Sequence, residues 1–350
     1  MIAIDKELSN KLANLSFVCT LLVVFIHCQS GGVDFLSRFL RRYIPGAFLP
    51  MAVPAFFLIS GFLLAGSFEQ HQWYCRALRK RVRTLLVPYA ILNLIYWPLK
   101  WAVHAIAIRH FGADAETMAL TWRTPFEILG FPFFHGPAIG PLWYIATLIY
   151  FVVISPVLCR VISRSRLSAI LTIALLIVIF ATWRYTCSVV EIPLCVRRFL
   201  YFGFSLWGLI FFTLGIDFRI WGYPLCKQYM CLISCAGVLS TLLLAKYGLC
   251  SDNVFLLQPT VLCIIGLFAV VPQSRWPSWL TSSSFALFAL HVPFLYFFEA
   301  MLKLVHCHQF VFTGLGLISE YIICVVMIIA FINGMRKICP KVVKVCFGGR

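Results

Sequence analysis

The chain has 350 residues, 62% of them hydrophobic and only 12% charged, with a mean hydropathy of +0.94. These values exclude a soluble protein of two or three globular domains, which the length alone would suggest. The net charge of +17 does not point to nucleic acid, because the basic residues lie in short connections between apolar runs, as membrane topology requires.

The apolar runs are about 20 residues long and continuous rather than alternating, which predicts membrane-spanning helices and not a barrel. The predicted fold class is therefore all-α, a polytopic membrane bundle. About ten transmembrane helices are expected, over roughly 12–29, 48–66, 85–107, 141–159, 167–183, 199–216, 229–245, 254–271, 283–302 and 312–332. With both termini placed in the cytoplasm, Lys and Arg divide eighteen inside to ten outside, and Lys100 falls within a span. That bias predicts cytoplasmic termini. Arg38, Arg41 and Arg42 run against it and are read as loop anchors at lipid phosphates, with part of an anionic-substrate site as the alternative.

The first span carries Ser16, Thr20 and His27, which return to nearly one face at about 100° per residue. A polar stripe ending in an imidazole is poorly suited to lipid and predicts a face turned into a protein-lined cavity. No small-residue cleavage site follows, so the segment is expected to be retained. Two readings of His27 stand: a helix-end imidazole satisfied at the interface, or a general base that takes a proton from a hydroxyl as it attacks a carbonyl.

The second span contains Ser60-Gly61. A small-residue pair there predicts close helix contact; a hydroxyl or amide lining a substrate channel is the alternative. Between the second and third spans lie Arg76, Arg79, Lys80, Arg81 and Arg83, the densest charge in the chain. They anchor topology, and they also suit the phosphates of a nucleotide-like donor. The third span is interrupted by Asn93, Pro98 and Lys100, and the apolar patch from Phe126 to His135 is too short to cross a bilayer. Trp143 and Tyr144 open the fourth span as an aromatic belt.

His291 falls well inside the ninth span, where an ionisable group is a functional hypothesis by default; a histidine satisfied by a neighbouring helix is the structural alternative. Glu299 and Glu320 are intramembrane or near it, as partners for a His or an Arg. The fifteen cysteines show no CxxC and no zinc-like spacing. Most lie in apolar runs as small hydrophobes, so neither a disulfide nor a metal site is expected.

Five blocks, in order, resemble the acyltransferase 3 family of integral membrane O-acyltransferases. They are LLVVFIH (Leu21 to His27), VPAFFLISGFLL (Val53 to Leu64), the basic run into RTLLVPY (Arg83 to Tyr89), GPLWYI (Gly140 to Ile145) and SSFALFALHVP (Ser283 to Pro293). The likeness implies a membrane domain over 12–335, between a cytoplasmic tail at 1–11 and a basic cytoplasmic tail at 336–350. It also implies the cytoplasmic membrane of a bacterium, with no bound cofactor.

The implied reaction is transfer of an acyl group, acetyl from acetyl-CoA, to a hydroxyl of a cell-envelope glycan, glycolipid or exopolysaccharide. His27 is the catalytic residue on that reading. Arg76, Arg79, Arg83, Ser60, Trp143, Tyr144 and His291 are the substrate- and donor-binding candidates. The family pattern sets an Arg eleven residues before its His, where this chain has Ser16, and a charged pair where it has Ala146 and Thr147. Two rivals follow: a transporter or flippase for a lipid-linked sugar or small anion, and an inactive member of the family.

Overall fold

The computed structural model describes residues 5–28, 34–66, 72–96, 140–193, 204–221 and 257–347, a few isolated positions between them, and the backbone alone over 39–50. All regular structure among the described residues is helical. Helix α1 (Lys6–His27) is capped by Asp5, whose carboxylate accepts the Leu8 N–H at 2.7 Å. At about 1.5 Å per residue it is long enough to cross a bilayer.

Helix α2 (Phe35–Ala65) begins well before the expected span, at Asp34, which accepts the Ser37 N–H at 2.7 Å. Arg38, Arg41 and Arg42 therefore lie on a helix and not in a loop, because the Asp34 cap starts the helix thirteen residues earlier than hydropathy indicated. The same carboxylate accepts the Gly314 N–H at 2.9 Å and 3.1 Å, tying the start of α2 to a helix late in the chain. Bonds from the Ser37 side chain, then from the Gly314 and Ser37 backbone, hold the Asp34 carboxyl down to about 2.

Helix α3 (Trp73–Arg81) runs into a π-helical turn, Val82–Leu86, and on into a helical stretch over 87–96. Asn93 is buried there with its amide donating to the Tyr89 carbonyl at 2.8 Å, so this polar residue is satisfied by its own helix. A 3-10 turn, Gly140–Leu142, leads into α4 (Trp143–Arg164), which is followed by α5 (Arg166–Val189) and α6 (Leu206–Trp221).

The closest helix contact is between α2 and α6, which run parallel. A Cβ on Gly61 would stand 2.0 Å from the Phe212 carbonyl oxygen, and one on Gly215 would stand 2.0 Å from that of Leu58. The glycines let the two backbones touch, as the small pair at Ser60-Gly61 predicted. Around this seam Phe57, Phe151 and Phe212 form a fully buried run, with successive ring centroids 5.3 Å apart. At the C-terminal end of α2, the buried Arg219 guanidinium lies 5.0 Å over the Phe62 ring and beside Gly66. A cation there suits the negative end of the helix dipole.

The remaining helices are α7 (Leu257–Val270), α8 (Ser278–Thr281), α9 (Ser284–Leu304), α10 (Gly314–Ile338) and α11 (Pro340–Cys346). Asn14 of α1 donates to the carbonyls of Pro272 and Ser274, and Arg336 near the end of α10 donates to Ser282 O and Ser283 Oγ at the start of α9. Helices α9 and α10 are therefore antiparallel. In α5, Ala169 is the buried residue, while Ile170, Leu171, Leu175 and Val178 are exposed, which is lipid-facing character.

Among the described residues, five helices are long and apolar enough to cross a membrane: Lys6–His27, Gly140–Arg164, Arg166–Val189, Ser284–Leu302 and Gly314–Ile338. Met51–Ala65 is a shorter apolar stretch of α2. The expected sixth and eighth spans appear as the 16- and 14-residue helices α6 and α7. The sixth starts later than expected because Ser205 Oγ accepts the Gly208 N–H at 3.1 Å and sets its first turn. Residues 97 and 99–107 of the third expected span, most of the seventh, and the patch from Phe126 to His135 lie outside the described residues.

Candidate active site between the first helix and the ninth

Helix α1 ends on His27, and α9 carries His291 two turns from its start. The two imidazoles face each other with ring centroids 5.0 Å apart and planes tilted by 46°. His27 is exposed; His291 is fully buried behind it. His291 Nδ1 lies 3.2 Å from the Leu287 carbonyl, one turn back, and its Nε2 has no hydrogen-bond partner among the described residues. A backbone carbonyl at Nδ1 selects the tautomer that leaves Nε2 as an acceptor. The pair thus offers one imidazole to an incoming group and holds a second, unsatisfied ring nitrogen in reserve.

The polar stripe expected on α1 is only partly open. Thr20 is buried, and its hydroxyl donates to the Ser16 carbonyl at 2.9 Å, so it is spent on its own helix. Of the three stripe residues, His27 is the one whose side chain meets another ionisable group.

A line of aromatic contacts leads away from the histidines. Phe288 lies one turn before His291, with ring centroids 6.2 Å apart, and Tyr144 lies 5.7 Å from Phe288 and 5.7 Å from Phe56. The Tyr144 hydroxyl and Ser60 Oγ are 3.1 Å apart, so these two candidates hydrogen-bond to one another. Tyr144 also reaches the α2–α6 seam, 4.7 Å from Phe57, as does Trp143 at 6.1 Å. Ala146 and Thr147 are buried in the core, where a charged pair would need partners of its own.

The basic candidates form a second site. Arg76, Arg79, Lys80 and Arg83 recur at helical spacing and, with Thr84, line a shallow depression of about 260 Å³. All four cations are exposed. The π turn begins directly below Arg81, and its wide winding breaks the register of the basic face. Hydropathy gave no sign of it. From Arg83 the chain stays helical to Tyr96, a rise of roughly 20 Å. There the Tyr96 hydroxyl donates to Ala289 O at 2.7 Å, two residues from His291. The basic depression and the histidine pair are thus separated along one continuous helical stretch.

Sequence reading singled out the two histidines without pairing them, and it missed Phe288 and Tyr96 as their links. The signal for Phe288 was its position one turn before an intramembrane His. Tyr96 left none, since its partner is a main-chain carbonyl 193 residues away. Glu320 is 99% shielded, with neither carboxylate oxygen hydrogen-bonded among the described residues. Among those residues no group of three or more His, Cys, Asp or Glu is arranged to hold a metal ion.

The helical bundle and its long apolar helices define an integral membrane protein, with two imidazoles paired within it. A family model described as an acyltransferase domain matches residues 13–332, nearly the whole chain, and the chain belongs to that family, acyltransferase 3. Comparison with curated proteins and with solved structures gave no match.

Proposed function

We propose that the protein transfers an acetyl group from acetyl-CoA to a hydroxyl of a cell-envelope glycan or glycolipid, with His27 as general base. The observation that carries this reading is the exposed His27 imidazole set 5.0 Å from a buried second imidazole, in a chain of the acyltransferase 3 family. His27 takes the acceptor's hydroxyl proton as the oxygen attacks the thioester carbonyl. The carbon–sulfur bond breaks, the thiolate leaves, and the proton returns to it as free CoA, so an ester and a thiol are formed with no net proton change.

The donor's phosphates sit on Arg76, Arg79 and Arg83, whose guanidinium forks suit phosphate oxygens. The roughly 20 Å of helix between that depression and the level of His291 suits a donor with a long arm between its phosphates and its thioester. The ten-span count and cytoplasmic termini belong to this proposal, since they put the basic face on the side where acyl-CoA is found.

The test uses protein in lipid nanodiscs with radiolabelled acetyl-CoA and polysaccharide extracted from the host surface. Ester label on the polysaccharide is expected. His27→Ala should lower the rate by about 100-fold or more without lowering the melting temperature. Replacing Arg76, Arg79 and Arg83 together by Gln should raise KM for acetyl-CoA about tenfold or more and leave kcat within about threefold. Label transfer undiminished in His27→Ala would defeat the mechanism. Movement of a lipid-linked sugar across the disc without release of CoA would point to a flippase, and wild-type protein inert in both assays would point to an inactive member.

A further inference from the structure

The mechanism leaves one nitrogen unused, Nε2 of His291. The residue is fully buried, and that atom has no hydrogen-bond partner among the described residues. A ring nitrogen left in that state is costly inside a membrane protein. The helix around it is held firmly. Pro293 lies inside α9 and brings no N–H, so the carbonyl four residues back, Ala289 O, loses its usual helical donor. The Tyr96 hydroxyl takes that carbonyl at 2.7 Å from another helix. Cys324 Sγ of α10 lies 3.8 Å from the His291 carbonyl, and Nδ1 of the ring lies 3.2 Å from Leu287 O. His291 is thus fixed from its own helix and from two others. His27 is placed differently: it is the last residue of α1 and is exposed. The titratable group that acts electrostatically on His291 is His27.

We propose that His291 is a positioning residue for His27: its Nε2 accepts the N–H of the His27 ring and so turns the lone pair of that ring toward the acceptor hydroxyl. This rests on the acyl-transfer reading for its use in turnover, though not for the contact itself. A neutral imidazole carries one N–H and one bare nitrogen. Only the bare one can take a proton, so a base of this kind needs a partner that holds its N–H on the other side. With Nδ1–H given to Leu287 O, His291 has a lone pair at Nε2 for that purpose. Two imidazoles joined edge to edge by an N–H···N bond of ~3 Å have ring centroids about 5 Å apart. His27 and His291 stand 5.0 Å apart, with planes tilted by 46° and the bond not closed. Rotation of the exposed His27 side chain closes it, and catalytic contacts of this kind commonly tighten when substrate binds. Once His27 has taken the acceptor's proton, the same bond has a cationic donor and strengthens. When the thiolate recovers that proton, both rings return to neutral.

The experiment uses the full chain and has two arms, one of which needs no substrate. Asn and Gln amides fall near Nδ1 and Nε2 of an imidazole respectively, so His291→Asn deletes the proposed acceptor while His291→Gln keeps one. In detergent micelles at about pH 9, where both rings are neutral, the imidazole nitrogen resonances of His27 are assigned by their loss in His27→Gln. Wild type and His291→Gln should show one tautomer, with a protonated and a bare nitrogen widely separated in shift. His291→Asn should show the two nitrogens drawn together by exchange between tautomers. In nanodiscs with acetyl-CoA and extracted host polysaccharide, His291→Asn should lower kcat by about 10- to 100-fold with KM for acetyl-CoA unchanged, and His291→Gln should recover about a third or more of the wild-type kcat. A residue that only filled space would move the melting temperature and leave tautomer and kcat alone. Averaged His27 nitrogens in wild type overturn the proposal, as does a kcat within about twofold of wild type in His291→Asn. Should His291→Asn fail to fold, the wild-type spectrum and His291→Gln decide. If wild-type protein fails to turn over acetyl-CoA, the acyl-transfer reading falls and the tautomer alone decides the contact.

Discussion

The seam between α2 and α6 and the junction of α1, α9 and α10 are built differently. In the seam, two glycines bring backbones into contact and fully buried phenylalanines fill the space around them. At the junction, two imidazoles face each other and a carboxyl is buried without hydrogen bonds among the described residues, while the seam buries a hydroxyl, Thr213 Oγ1, and two Arg219 nitrogens in the same state. A membrane protein gains little hydrophobic stabilisation from bringing helices together, since lipid is as apolar as leucine, so tight packing must hold the bundle. The seam supplies that packing. The junction departs from it by bringing ionisable groups of separate helices together, and such groups are costly in a bilayer core.

The comparison can be broken most severely at the seam. Gly61→Leu forces side-chain atoms into the Phe212 carbonyl, which already stands 2.0 Å from an added Cβ. Overpacking against main chain is not relieved by a rotamer change, and folded protein should be lost altogether, measured as the monodisperse fraction recovered in detergent. By contrast, the change described above at His27 should leave that fraction intact and act on turnover.

A smaller effect is expected where the two regions are bridged. Tyr144→Phe removes the partner of Ser60 Oγ at 3.1 Å while keeping the ring against Phe56 and Phe288. Stability should fall by about 1 kcal/mol, read from thermal unfolding, with kcat changed less than about fivefold. A loss of activity as deep as that of His27→Ala would move Tyr144 from the bridge into the catalytic set.

The smallest effect concerns Asp34, which joins the start of α2 to the start of α10. Its folded carboxyl is held at about 2, below the ordinary 3.8. The stabilisation it lends is complete above about pH 4 and is lost as pH falls toward 2. Asp34→Asn should therefore melt a little below wild type at neutral pH, and the difference should vanish on acidification into that window. A difference that persists at the acid end would show that the tie is steric and not electrostatic.

Much of this was open to reading from residue order alone. Apolar runs gave an all-helical membrane protein, and Ser60-Gly61 gave a close helix contact. The five blocks taken in order, from Leu21 to Pro293, gave the family. The start of α2 was misplaced because hydropathy sees Arg38, Arg41 and Arg42 as a boundary, whereas the helix begins where Asp34 satisfies its first free N–H groups. The ionisable residues could be placed at depths along their spans but not assigned partners.

Chain order alone thus determined the solvent this protein lives in and the chemical groups it carries there, because hydropathy and family motifs are local. The tertiary structure decided which of those groups meet. His27 and His291 are separated by 264 positions, and Asp34 and Gly314 by 280. Such meetings depend on helix register and rotation, which are set by packing across the whole bundle and leave no local trace in composition or periodicity.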